Sequence, residues 1–216
     1  MSGFWVKYAG NRTTIIQQGD LSARIYLDAL SEIPHLYAIG PIEGLKGEIT
    51  VYDGQSSIST IERTQPTISS SLHHGAIFLA YASATRWKTI PIDTSIRGLS
   101  DVEAYVQYMA TRHNVDTRKP FPFRIEGRID SLDYHIIYKT DDAPHNATEH
   151  QRAKQKFTVH DSAVRIIGFW ADLQGQGVYT HPDKRTHLHF ILDDDTASGH
   201  VDDVQLREGA LLYLPR

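Results

Sequence analysis

HLHFILDDDTASGHV, residues 187–201, decides how the chain is read: two histidines stand one residue apart and a third follows eleven residues after the second. The surrounding run THLHFIL (186–192) has the character of a strand, where side chains at i and i+2 share a face. His187 and His189 therefore project together, about 7 Å apart along the strand. Leu188 and Phe190 turn to the opposite face and into the core. DDDTASG supplies turn chemistry, and HVDDVQL (200–206) reads as the returning strand. A hairpin of this length brings His200 back beside the first pair. Three imidazoles converging from neighbouring strands, with positions left open, are how a catalytic zinc is held. The chain has 12 histidines, so the residues alone also fit three solvated rings around a polar turn.

Composition narrows the choices. The chain has 216 residues, 40% of them hydrophobic, enough to bury a core. Its net charge is −4 and its pI is near 6.3, so no basic surface calls for nucleic acid or anionic lipid. Cysteine is absent, so any transition metal must be held by His, Asp or Glu. No apolar run reaches the ~18 residues that span a bilayer. MSGFWVKYAGNRTT at the start lacks the basic opening and apolar stretch of a secretory signal. A cytoplasmic location, with no nucleic-acid or membrane partner, is expected.

Working outward, GEITVYDGQSSIST (47–60) alternates through Ile49, Val51 and Ile58 around Asp53-Gly54, a hairpin signal. GAIFLAYASA (75–84) reads as one buried strand. FRIEGRI (123–129) and YHIIYK (134–139) read as successive strands, followed by VRIIGFW (164–170). Helices are predicted over Asp20–Leu30 and Leu99–Arg112, the second with Ser100 as N-cap and Glu103 completing a capping box. The polar stretch 140–155 reads as a loop grading into a short helix. His73, His74, His145, His150, His160 and His181 sit among polar residues and are expected to be solvated; Asp193, Asp194 and Asp195 are expected to face water. The fold class is α+β, mainly β-sheet with a few short helices. It forms one domain over 1–216 or two sheet subdomains of about 1–120 and 121–216.

HLHFILDD…SGHV resembles the metal-binding signature of the alpha-acetolactate decarboxylases. GPIEGLKGEITVYDG (40–54) resembles the family's glycine-rich segment, and FRIEG (123–127) and IIGFW (166–170) match family strand motifs in the same order. The similarity runs over roughly residues 15–216. It implies an acetolactate-decarboxylase-like fold, a homodimer, and a zinc held by His187, His189 and His200. The activity implied is that of a lyase converting a 2-hydroxy-3-oxo acid such as 2-acetolactate to acetoin and carbon dioxide. In that chemistry the metal chelates the adjacent hydroxyl and carbonyl and stabilises the enediolate left when carbon dioxide departs. An acid then protonates one carbon from one face, and the resemblance assigns this to Glu48.

Three positions depart from the family pattern. Pro41 stands where the family has a functional threonine, and it offers neither hydroxyl nor N–H. His135 falls near the family's active-site arginine, without that residue's fixed charge and planar fork. His135 and Arg124 are accordingly the substrate-binding candidates. The sequence ends at LLYLPR (211–216), where the family continues into a tail that returns a glutamate to the site; Glu208 is the only acid near this end. A divergent member with a shortened C-terminus is expected. The alternatives are a metal-binding homologue with another substrate, a non-catalytic small-acid binding module, or a cupin-like metalloenzyme.

Overall fold

Strand-forming runs broken by Gly and Asp turns give the described residues two large antiparallel sheets, one two-stranded pair and three helices. The structure, a computed structural model, describes residues 3–141, 143–178, 180 and 182–216. The first sheet uses β1 (Phe4–Ala9), β3 (Leu36–Pro41), β4 (Glu48–Tyr52), β5 (Gln55–Glu62), β6 (Gln65–Ser69) and β8 (Leu79–Ala84), in the order β1-β8-β3-β4-β5-β6. A small pair, β2 (Ile25–Tyr26) and β7 (Gly75–Ala76), lies beside it. The second sheet uses β9 (Trp87–Pro91), β10 (Phe121–Ile137), β11 (Lys154–His160), β12 (Ala163–Trp170), β13 (Thr186–Leu192), β14 (Ser198–Leu206) and β15 (Leu211–Pro215). Its order is β12-β13-β14-β10-β15-β9, with β11 added along β10. The helices are α1 (Arg12–Gln18), α2 (Leu99–Arg112) and α3 (Ala147–Arg152). The mainly-β expectation holds. Among the described residues, no helix is long and apolar enough to cross a membrane.

Side-chain alternation builds the layers. Leu188, Phe190 and Leu192 of β13 pack with Val102, Val106 and Met109 of α2 on one face of the second sheet. Ile167, Phe169 and Ile191 on the other face meet Tyr37, Ile39 and Tyr52 of the first sheet. Ile49, Val51 and Ile58 bury outward against Leu27 and Leu30. Asp53 and Gly54 both take positive φ, 49° and 82°, and close the predicted hairpin with Tyr52 opposite Gln55.

Four sequence expectations are corrected. No helix spans 20–30: Gly19 at φ 66° ends α1, whose cap is Asn11, and the Asp20 carboxylate accepts from Ser22 N–H at 3.0 Å. That local bond competes with helix, and Leu27–Leu30 makes only a 3₁₀ turn. Helix α2 has the predicted limits without the capping box. Asp203 of β14 accepts from Leu99 N–H at 2.9 Å, while Glu103 accepts from Arg185 N–H at 2.8 Å. The stretch 75–84 breaks at Ile77-Phe78 into β7 and β8.

The fourth correction shapes the site. Residues 121–137 form one strand, with register shifts at Asp130 on β10 and at Asp202 on β14. A bulge reverses which side chains face the core. Phe121, Phe123 and Ile125 face α2, yet beyond the bulge it is Leu132, Tyr134 and Ile136 that do so. His135 and Ile137 are thereby delivered to the face between the sheets.

Gly47 explains the Gly-Glu pair. It sits at φ 145°, and a Cβ there would lie 2.2 Å from the Ser59 carbonyl oxygen. Gly47→Ala is expected to cost about 1–3 kcal/mol, read as a lower urea midpoint at unchanged m-value.

Candidate metal centre

Backbone pairing places His189 of β13 opposite His200 of β14, and His200 opposite His135 of β10. His187, two residues before His189, shares its face. Its Nε2 lies 3.1 Å from His200 Nδ1, and its ring lies alongside that of Phe78. One ring nitrogen each from His187, His189 and His200 falls within 4.8 Å of the others, an arrangement that could hold a metal ion. His135, His200 and Asp202 form a second such group that shares His200. The structure thus brings His135 into contact with the trio.

His189 and His135 are each held from behind. His189 Nδ1 lies 3.0 Å from Thr50 Oγ1, to which Ser198 Oγ also donates at 3.1 Å. The opposite nitrogen, Nε2, is buried and has no hydrogen-bond partner among the described residues. His135 Nδ1 is 2.9 Å from both carboxylate oxygens of Asp202. Burial holds His189 and His200 well below the ordinary histidine range, and the neighbouring imidazoles add to this. His135 is lowered for the same first reason, partly offset by Asp202. The rings are neutral, the form that ligates a metal.

Glu48 opens β4 and is buried against the trio. Its Oε1 accepts from Ile137 N–H at 3.3 Å, and its Oε2 lies 3.7 Å from His189 Nε2. Burial pushes its carboxyl up to about 8. Hydrogen bonds fix its position across the sheets: Lys139 N–H donates to Leu45 O at 2.8 Å, and the Lys46 ammonium Nζ donates to Lys139 O at 2.6 Å.

A cavity of about 340 Å³ opens in front of these groups. Glu48, His135, His187, His200 and Asp202 line it, with Pro41, Phe78 and Ile137; Arg12 of α1, His150 of α3, and Lys154 of β11 stand around it. His189 is fully buried beneath.

Arg124 is not brought to this cavity. Its guanidinium carbon sits 4.4 Å from the Tyr213 ring, 4.8 Å from Trp87, 5.2 Å from Tyr52 and 5.9 Å from Tyr37. It donates to Tyr37 Oη at 3.0 Å and to Glu126 at 2.9 Å. The cation joins the two sheets. Asp193 and Asp195 are exposed and pair with Arg165, and Asp194 accepts from Thr196.

The expectation of solvated rings fails for His145 and His150. His145 is buried, and its Nε2 lies 3.2 Å from His150 Nδ1. The cause is α3, capped by Asn146, which folds this polar stretch against α1. His73 and His160 are exposed, and His181 lies outside the described residues. Sequence reasoning missed Thr50, Ser198, Asp202 and Lys154. Only Thr50, two residues after Glu48 on an alternating strand, carried a usable signal.

The sequence matches the model of the family described as alpha-acetolactate decarboxylase over residues 32–213. No curated protein matches it. The fold is similar to that of alpha-acetolactate decarboxylase from Bacillus subtilis strain 168, at TM-score 0.78 and 17% identity, covering 98% of this chain and 85% of that one. Acetolactate decarboxylase from Bacillus subtilis subspecies spizizenii gives 0.80 and 17%, covering 98% and 86%. A Staphylococcus aureus protein of unknown function, similar to alpha-acetolactate decarboxylase, gives 0.79 and 16%, covering 98% and 85%.

Two outcomes are expected of the metal-free protein. Thr50→Val strands buried polar atoms of His189 and Ser198 and should cost about 1–3 kcal/mol in denaturant unfolding. Burial, then the nearby Lys154 and His145, lower His150 to about 3. Between that value and the ordinary ~6.5 the unfolded chain binds a proton that the folded chain does not. The contribution is complete above about pH 6.5 and is lost as pH falls toward 3. The urea midpoint should therefore drop on acidification from about pH 6.5 to about pH 4.5, and less steeply in His150→Gln.

Proposed function

The chain belongs to the alpha-acetolactate decarboxylase family, and from that premise we propose that it is a zinc-dependent carboxy-lyase. Its substrate is a 2-hydroxy-3-oxo acid such as 2-acetolactate, and its products are acetoin and carbon dioxide. The observation that carries this reading is the convergence of His187, His189 and His200 beside Glu48 at an open cavity.

The donor set fits zinc. It consists of three imidazoles, one presenting a buried nitrogen that has no hydrogen-bond partner among the described residues. His187, His189 and His200 would hold the ion. A bound zinc supplies Lewis acidity to the ketone oxygen, on which negative charge develops as carbon dioxide leaves. Thr50 keeps the proton of His189 on Nδ1, so that Nε2 faces inward with its lone pair. Asp202 does the same for His135, whose ring borders the bound acid. Glu48, anchored by Ile137 N–H, delivers the proton to carbon from its own side of the cavity, which fixes the handedness of the product. Phe78 and Ile137 keep water from competing as the proton source. Arg124 has no part in this reading.

Zinc-loaded protein is expected to release carbon dioxide from 2-acetolactate and to form acetoin. His189→Ala should lose both bound zinc, measured by elemental analysis, and turnover. Glu48→Gln should retain zinc while kcat falls by about 10²–10⁴-fold. Turnover that survives His189→Ala would overturn the proposal, and zinc uptake without acetoin would select the binding-module alternative.

A further inference from the structure

The row of facing side chains does not end at His135. On the other edge of β10, β11 pairs antiparallel, with Lys154 opposite Ile137 and Lys156 opposite His135. Paired residues share a face, so Lys154 points to the same side as the imidazoles, and it lines the cavity. It is half-buried. Among the described residues it makes no hydrogen bond, and no carboxylate lies within ion-pair distance of its ammonium. Asp202 and Glu48 act on it only through space, and Asp202 is already bonded to His135. Two other cations line the cavity with it: Arg12, which Asp183 offsets, and Lys184.

A partly desolvated ammonium with no partner is costly, and an anion entering the cavity removes that cost. His135 cannot take this part. Its Nδ1–H is committed to Asp202, and burial opposes a second proton. Resting on the decarboxylase reading above, we propose that Lys154 binds the carboxylate of the substrate. The acid then lies with its carboxylate toward β11 and its two oxygen functions toward the histidines. The ion pair exists only while the carboxylate does: loss of carbon dioxide leaves a neutral product with nothing for the ammonium to hold. Lys154 therefore acts on binding and selects acids over neutral diols.

The test uses the zinc-loaded full chain and two unreactive probes, 2,3-dihydroxy-2-methylbutanoate and the matching neutral 2-methylbutane-2,3-diol, with binding read by calorimetry. Lys154→Met should weaken the acid about tenfold or more, leave the diol and the zinc content unchanged, and raise KM far more than it lowers kcat. Lys154→Arg should restore most of the acid's affinity. In the unaltered protein, added salt should weaken the acid and spare the diol. Equal loss of both probes, unchanged acid binding in Lys154→Met, or no preference for acid in the unaltered protein overturns the proposal. Lys154-dependent acid binding without release of carbon dioxide would sink the decarboxylase reading and leave the anchor standing. Carbon dioxide release with acid binding indifferent to Lys154 would do the reverse.

Discussion

Main-chain hydrogen bonding across β13, β14 and β10 sets His189, His200 and His135 side by side. The ladder imposes that alignment. Because the period along a strand is two, a slip of one residue in either pairing would turn an imidazole toward α2. The bulges at Asp130 and Asp202 are part of the same constraint. The first rotates the latter half of β10 so that His135 faces inward. The second frees Asp202 from a paired position and aims its carboxylate at that histidine.

The buried rings show how such a cluster is tolerated. Several imidazoles packed together would repel one another if charged, and burial keeps them neutral. Neutral rings still require partners for their N–H groups. Thr50 reaches from the first sheet to His189, and Asp202 serves His135. The site thus straddles both sheets: the histidine rings ride on one, while Glu48 and Thr50 ride on the other. The backbone bond from Lys139 N–H to Leu45 O keeps the two halves in step.

Local chemistry was legible in the sequence. Asp53-Gly54 announced a hairpin, HLH on an apolar run announced two rings on one face, and the turn after Leu192 returned His200 beside them. What depends on a distant partner was not. The N-terminus of α2 is capped by Asp203, a hundred residues away in sequence, and Glu103 is drawn to Arg185 instead. The reversal of facing in β10 follows from one unpaired residue, and FRIEGRIDSLDYHII contains no turn signal that separates a bulge from a break. Lys154 stood in a polar stretch, and only the pairing of β11 with Ile137 reveals which way it points.

Arg124 has a consequence beyond its own surroundings. Enclosed by four aromatic rings and tied to Glu126, it spends its charge on cohesion between the sheets. Arg12 and Lys154, two of the cations bordering the cavity, sit on α1 and β11, elements laid over the framework. Substitution at Arg12 or Lys154 therefore alters the charge that lines the cavity without touching the cation that joins the two sheets, so cavity charge and sheet cohesion rest on different residues.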